Sequence, residues 1–179
     1  MFLNGIFSSY AETGQNDGNE VVFLLDASNS MNAQDKNRLA MDAIRQMAYS
    51  LPSDYRTGLV AYNTEIQVKS DALGGKEDLE NQMEEVAYTG YTNAGEGLAQ
   101  AMELFSGGDG TSRNIVMISD GEITMKKKED TEKSRIKFVE AAQLAKEKGV
   151  KVYIIAIGTE LDVYKRQQLC QREPGYAEG

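Results

Sequence analysis

The fold is decided by the segment VVFLLDASNS, which occupies residues 21–30. Its first five residues form an unbroken apolar run, which is typical of a strand covered on both faces in a parallel sheet. The run ends at Asp26, and two serines follow at alternate positions, Ser28 and Ser30. A strand that ends on an acid and a hydroxyl-rich loop predicts a polar site at the carboxyl end of that strand.

The rest of the chain repeats the alternation of strand and helix. A helix with one apolar face is predicted from Leu39 until Pro52 stops it. Ile66 and Val68 alternate with polar neighbours and predict a brief, half-exposed edge strand. The other apolar patterns predict buried strands at 57–62, 114–118 and 152–157, and helices around 79–86, 98–105, 138–145 and 161–170. This order indicates an α/β fold with a doubly wound, mostly parallel open sheet and helices on both faces.

The composition excludes several classes of function. The 179 residues and the 41% hydrophobic content fit one domain with one substantial core. Asp and Glu outnumber Lys and Arg by 28 to 19, so neither a nucleic-acid partner nor an anionic membrane surface is expected. Histidine is absent, which excludes histidine-based catalysis and zinc sites of the HExxH type, and the single Cys170 can form no internal disulfide. No apolar run approaches the roughly 20 residues of a membrane helix, so no direct membrane insertion of this chain is expected.

Three segments are expected along the chain. Residues 1–19 are predicted to be a flexible leader or a truncated signal or linker, because a short apolar start precedes small residues at 9–11. Residues 20–172 are predicted to form the domain and residues 173–179 a tail, with truncation from a longer protein left open. The signal-like start favours an extracellular or cell-surface location on a bacterium, with the cytoplasm as the alternative.

Two strands of the predicted sheet end on acids, Asp26 and Asp120. Because ligand crevices in open parallel sheets lie beyond the carboxyl ends of the strands, we expect both acids at one rim. Three hydroxyls are expected beside them, from Ser28, Ser30 and Thr92. Two carboxylates and three hydroxyls, with no thiolate or imidazole, favour a hard cation such as Mg²⁺ or Mn²⁺ over zinc or copper. No catalytic residue is predicted.

Each of these residues also has an ordinary structural interpretation. Asp26 alone fits a turn, Thr92 fits the start of a helix, and either serine fits a helix cap. The joint placement favours a metal site, because local propensity gives no reason for two buried strands to end on acids facing one hydroxyl-rich loop. Near the same rim, Glu122 is interpreted as an exposed loop acid and Glu96 as a partner of the helix dipole. Asn93 is placed near the ligands but outside their set.

Three short motifs resemble the metal-ion-dependent adhesion site of von Willebrand factor type A domains. They are Asp-Ala-Ser-Asn-Ser at 26–30, Gly-Tyr-Thr-Asn at 90–93 and Ile-Ser-Asp-Gly at 118–121, and they fill all five ligand positions of that site. The resemblance implies an α/β fold with one short antiparallel edge strand and Mg²⁺ or Mn²⁺ at the rim of the sheet. It also implies adhesion or complex assembly through an Asp or Glu of a partner protein, without catalysis. Asn29 and Gly97 differ from residues usual in this family, although neither supplies a metal ligand in it.

Two other functions stay open at this point. A Mg²⁺-dependent phosphotransferase or hydrolase would also place an acid such as Asp26 after its first strand. Such enzymes usually carry a second acid two residues later, where this chain has Ser28. An intracellular assembly module of an ATPase-linked complex would use a similar fold in the cytoplasm, and composition does not distinguish it from an adhesin.

Overall fold

The structure is a computed structural model that describes residues 19–106, 108 and 110–158. Its strands are β1 (Glu20–Asp26), β2 (Arg56–Tyr62), β3 (Ile66–Lys69), β4 (Arg113–Ser119) and β5 (Lys151–Ala156). Its helices are α1 (Met31–Gln34), α2 (Leu39–Ser50), α3 (Lys76–Glu84), α4 (Ala94–Glu103) and α5 (Lys128–Glu147). The predicted order of strands and helices is confirmed, and the short α1 is an element that the apolar patterns do not predict.

The five strands form one sheet in the order β3-β2-β1-β4-β5. β1 pairs in parallel with both β2 and β4, and β5 pairs in parallel with β4. β3 pairs antiparallel with β2, which confirms the predicted edge strand. From β1 the chain therefore adds β2 and β3 on one side, and then adds β4 and β5 on the other side. The direction of winding reverses between β1 and β4. In sheets of this kind, ligands bind at that switch point.

Alternate side chains of β1 enter two different cores. Val21, Phe23 and Leu25 pack with residues of α2 and α3 on one face of the sheet. Val22 and Leu24 pack with residues of α4 and α5 on the other face. All seven residues of β1 are buried, so the predicted sheet with helices on both faces is confirmed.

The predicted burial of the last strand is not seen among the residues that the structure describes, which end at 158. The strand is present as β5, but Tyr153 and Ile154 are 52% and 51% exposed, whereas the apolar run predicts a buried strand. In the described sheet β5 lies at an edge and pairs with β4 alone. An apolar run predicts a strand, but it carries no information about whether that strand is central or at an edge.

Several sequence predictions fall outside the residues that the structure describes. These are the leader before residue 19, the helix at 161–170, Cys170 and the tail at 173–179. In the part of the chain that is described, no helix is both long and apolar enough to cross a membrane.

Candidate metal centre

The five predicted ligand residues lie on three loops beyond the carboxyl ends of the strands. Asp26 is the last residue of β1, and Asp120 directly follows β4. Because β1 and β4 are parallel neighbours, these two acids meet at the same edge of the sheet, at the switch point. Ser28 and Ser30 lie in the loop that leads from β1 to α1, and Thr92 lies in the loop before α4.

A chain of hydrogen bonds joins the two serines to Asp120. The Ser28 and Ser30 hydroxyl oxygens are 3.0 Å apart, and Ser30 Oγ donates to Asp120 Oδ1 at 3.0 Å. A hydroxyl group has one hydrogen, so Ser28 must donate to Ser30 when Ser30 donates to Asp120. Both hydroxyl hydrogens are then directed along the chain towards the carboxylate, and oxygen lone pairs stay available for a cation.

Asp26 is fully buried and accepts hydrogen bonds on both of its oxygens. Ser28 N donates to Oδ1 at 2.9 Å, and Ser119 Oγ donates to Oδ2 at 2.7 Å. Burial raises the pKa of Asp26 above its usual value, the hydrogen bonds from Ser119 and Ser28 oppose this rise, and the charge of Asp120 adds to it. Among the described residues, no Lys or Arg forms an ion pair with Asp26. The two carboxylates therefore meet with only neutral donors on Asp26.

Backbone hydrogen bonds bring the Thr92 loop against the other two loops. Thr92 and Thr124 pair through both backbone groups, with N–O distances of 2.7 and 3.2 Å. Asn29 N donates to Gly90 O at 3.1 Å, so the Thr92 loop also contacts the serine loop. Thr92 is buried. Direct hydrogen bonds thus connect Asp26, Ser28, Ser30 and Asp120, whereas the backbone of its loop connects Thr92 to this group.

The roles of turn, helix cap and helix start account for few of the contacts that these five residues make. The Ser30 side chain makes no capping bond to α1 although it precedes that helix, and its hydroxyl instead donates to Asp120. The expectation that Thr92 starts the next helix is wrong: α4 begins at Ala94, and Asn93 is its N-cap. Thr92 has a different role because its backbone is paired with Thr124. The bond from Ser28 N to Asp26 is a local turn contact, but it occupies only one carboxylate oxygen.

Two neighbouring acids lie where the sequence predicts. Glu96 is in the first turn of α4, as expected for a residue that complements the helix dipole, and it also pairs with Lys137 of α5. Glu122 is exposed. The side-chain oxygen of Asn93, Oδ1, accepts from the Ser134 hydroxyl at 2.7 Å, so Asn93 ties α4 to α5.

Two residues beside Asp26 were missed by the sequence reasoning. Ser119, the last residue of β4, donates to Asp26. Tyr62 is the register partner of Asp26 on β2, and its buried hydroxyl lies beside the side chains of Asp26 and Ser119. Burial raises the pKa of Tyr62 well above its usual range, and the Asp26 charge adds to this rise. A Cβ at Gly97 would lie 2.5 Å from the Tyr62 ring, so the absent side chain makes room for it. Only the parallel register of β1 with its neighbours could have indicated these contacts.

The donor set suits a hard cation. Two carboxylates and hydroxyl oxygens are the ligands that Mg²⁺ and Mn²⁺ accept. Among the residues described, no group of three or more carboxylate, thiolate or imidazole side chains could hold a metal. Any cation at this rim would therefore be held largely by neutral oxygens.

Comparison with known proteins places this site in a family context. A family model of the von Willebrand factor type A domain matches residues 20–175. A curated UPF0353 protein of Nocardia farcinica is 29% identical over 152 residues, which cover 78% of this chain and 45% of that protein. The chain therefore spans less than half the length of that relative.

Solved structures show the same fold. The conserved hypothetical protein BatB from Bacteroides thetaiotaomicron is 27% identical, with a TM-score of 0.58, over 78% of this chain and 66% of that one. Proximal thread matrix protein 1 from the mussel byssus, solved with zinc in its metal-ion-dependent adhesion site motif, is 18% identical, with a TM-score of 0.60. That match covers 78% of this chain and 36% of the mussel chain. Since the family model matches most of the sequence and the fold agrees, the chain belongs to the von Willebrand factor type A domain family.

Proposed function

We propose that this domain holds one divalent cation, Mg²⁺ or Mn²⁺, and uses it to bind an Asp or Glu side chain of a partner protein. The ligands in this proposal are Asp26, Ser28, Ser30, Thr92 and Asp120. The observation that carries it is the meeting of two buried carboxylates at the switch point, where no described Lys or Arg forms an ion pair with Asp26. Burying a carboxylate without a counter-charge is costly, and a cation would supply that charge.

The same donor set explains why the partner would be acidic. Hydroxyl ligands are neutral, so if Ser28, Ser30 and Thr92 bind the cation directly and the aspartates act partly through water, much of the positive charge of the metal is left uncompensated. The chain carries a formal net charge of −9, and it would otherwise repel an acidic partner. A divalent cation would cancel the charge of the two carboxylates and offer an open ligand position at the rim, which makes partner binding dependent on the metal.

The geometry favours binding over catalysis. A phosphotransferase would need Asp26 as an accessible nucleophile. Asp26 is fully buried and both of its oxygens accept hydrogen bonds, while Ser28 occupies the position where a second acid would be expected.

An intracellular assembly module could use the same site with a different partner. A cell-surface location therefore stays a prediction, and fractionation of cells that express the full-length gene would test it.

A calorimetric titration of chelator-treated protein with Mg²⁺, Mn²⁺ and Zn²⁺ tests the metal site. Zn²⁺ is included because the mussel protein holds zinc at its motif. We expect Mg²⁺ or Mn²⁺ to bind, and Asp120→Ala and Ser28→Ala to abolish binding because each removes a ligand. Glu122→Ala is the matched control, since it removes an exposed acid two residues from Asp120 and should leave affinity unchanged. Equal binding by the wild type and both ligand variants would contradict the proposal.

A capture experiment with the immobilised domain tests the partner half of the proposal. Once a captured protein is identified, its binding should require the metal and disappear with chelator or with Asp120→Ala. Substitution of one Asp or Glu on the partner should have the same effect. Capture that survives all three changes would show that the contact does not involve this site.

A further inference from the structure

We infer that Ser119 is a positioning residue that fixes the Asp26 carboxylate in the orientation needed for cation binding. The inference rests on the proposed metal site, and it concerns a residue outside the ligand set. Ser119 is buried at the end of β4, and its hydroxyl donates to Asp26 Oδ2 at 2.7 Å.

The Ser119 hydroxyl is itself held in place. Gly121 N donates to Ser119 Oγ at 3.2 Å, so the oxygen accepts from one side while its hydrogen is donated to Asp26. The Ser119 backbone is also fixed, because Ile157 N donates to Ser119 O at 3.0 Å. A hydroxyl that donates to one fixed group and accepts from another has little rotational freedom. The Ser119 hydroxyl can therefore hold the Asp26 carboxylate in one orientation.

Ser119 is the contact that ties Asp26 to the neighbouring strand. The other bond to Asp26, from Ser28 N, comes from two residues along the same loop and would move with that loop. The Ser119 bond comes from β4, and Asp120 is the next residue. It therefore fixes Asp26 relative to the second carboxylate of the site.

The two carboxylates are braced reciprocally. Ser30, which follows β1, donates to Asp120, which follows β4. Ser119, at the end of β4, donates to Asp26, at the end of β1. Each acid at the end of one strand thus accepts a hydrogen bond from a serine at the end of the other strand. The two bonds together limit the separation of the carboxylates. Outer contacts of this kind orient ligands and commonly change metal affinity about 10- to 100-fold when removed.

The test is calorimetric titration with Mg²⁺ of Ser119→Ala, Ser119→Thr and Thr57→Val. Ser119→Ala should weaken Mg²⁺ binding about 10-fold or more, and Ser119→Thr should restore most of the affinity because it keeps the hydroxyl. Thr57→Val is the matched control: it removes a buried hydroxyl that has no partner in the described residues, at the opposite end of β2. Its Mg²⁺ affinity should equal that of the wild type.

A metal-free readout separates positioning from general stability. In a crystal structure of Ser119→Ala without metal, the Asp26 carboxylate should leave the orientation that it has in the wild type, while Ser119→Thr keeps it. If Ser119→Ala does not fold, Ser119→Cys takes its place, since sulfur is a weak donor of similar size. If Ser119→Ala or Ser119→Cys binds Mg²⁺ with the wild-type affinity, the inference about Ser119 is overturned while the proposed metal site still stands. Absence of Mg²⁺ binding by the wild type would instead overturn the proposed function and this inference together.

Discussion

Strand β1 begins and ends with an acid, and the two acids have opposite surroundings. Glu20 and Asp26 are both 0% exposed. Glu20 forms an ion pair with Arg56, and its Oε1 also accepts from the backbone N and the hydroxyl of Ser106. Among the described residues, Asp26 accepts hydrogen bonds from neutral donors and forms no ion pair, and the charge of another acid, Asp120, acts on it. Within the described part of the chain, one end of the strand therefore has a counter-charge and the other end has none.

This difference separates a structural acid from a candidate ligand. A buried charge is tolerated when a counter-charge and hydrogen bonds compensate for lost hydration. Glu20 obtains its counter-charge from the neighbouring strand β2, at the amino end of the sheet. Asp26 lies at the carboxyl end, where open parallel sheets bind ligands, and a cation there would complete its surroundings.

The largest effect is expected from breaking the internal pair with Arg56→Met. This change leaves Glu20 buried without a counter-charge, and removal of one partner of a buried pair costs about 3–5 kcal/mol. We expect about 3 kcal/mol, because the Arg56 side chain is 38% exposed. Urea unfolding measures the loss, which should be the same with Mg²⁺ and with chelator. If Mg²⁺ restored the lost stability, the cation would act on the Glu20 end of β1 as well, and the contrast between the two ends would be wrong.

An effect of slightly smaller size is expected from the metal itself. Mg²⁺ at about 100 times its dissociation constant should stabilise the wild type by about 2.7 kcal/mol. Asp26→Asn should remove most of this increment, because the variant lacks one of the two charged ligands. Glu20→Gln is the control from the other end of the strand: it should lower the basal stability and retain the full Mg²⁺ increment. Melting curves with Mg²⁺ and with chelator measure both, and loss of the increment in Glu20→Gln would contradict the comparison.

The smallest expected effect is a change in the pH dependence of stability. Burial raises the folded-state pKa of Asp26, so its contribution to stability is fully present below the unfolded pKa and is lost as pH rises through the folded pKa. In chelator, the unfolding free energy of the wild type relative to Asp26→Asn should therefore fall as the pH rises above the ordinary Asp pKa of about 4. With saturating Mg²⁺ the trend should reverse, because the metal binds the ionised carboxylate. An identical pH profile for both proteins in chelator would contradict the assigned surroundings of Asp26.

Local patterns in the sequence were sufficient to predict most of the fold. The apolar run of β1, the helical faces and the alternation at β3 each depend on neighbours within a few residues, and they correctly predicted strands, helices and the edge strand. The exposure of β5 was not predictable in this way. Its apolar run resembles that of β1, but burial depends on what packs beside a strand, and neighbouring strands are distant in the chain.

The candidate site shows the same division. Asp26 and Asp120 could be placed together from the sequence, because the carboxyl ends of parallel strands share an edge. The pairing of Thr92 with Thr124 was not predicted, since it joins two loops that are far apart in sequence. Ser119 gave no signal of its own, because its bond to Asp26 spans 93 positions and depends on strand register.

The sequence by itself determined the alternation of strands and helices, the family resemblance and the chemistry of the five candidate ligands. These follow from residue type and short spacing, which act locally. Only the tertiary structure decided which buried acid of β1 is compensated, by Arg56 for Glu20, and how Ser30 and Ser119 brace the two carboxylates. Those outcomes depend on the register of β1 with β2 and β4, and register is set by packing across the whole sheet.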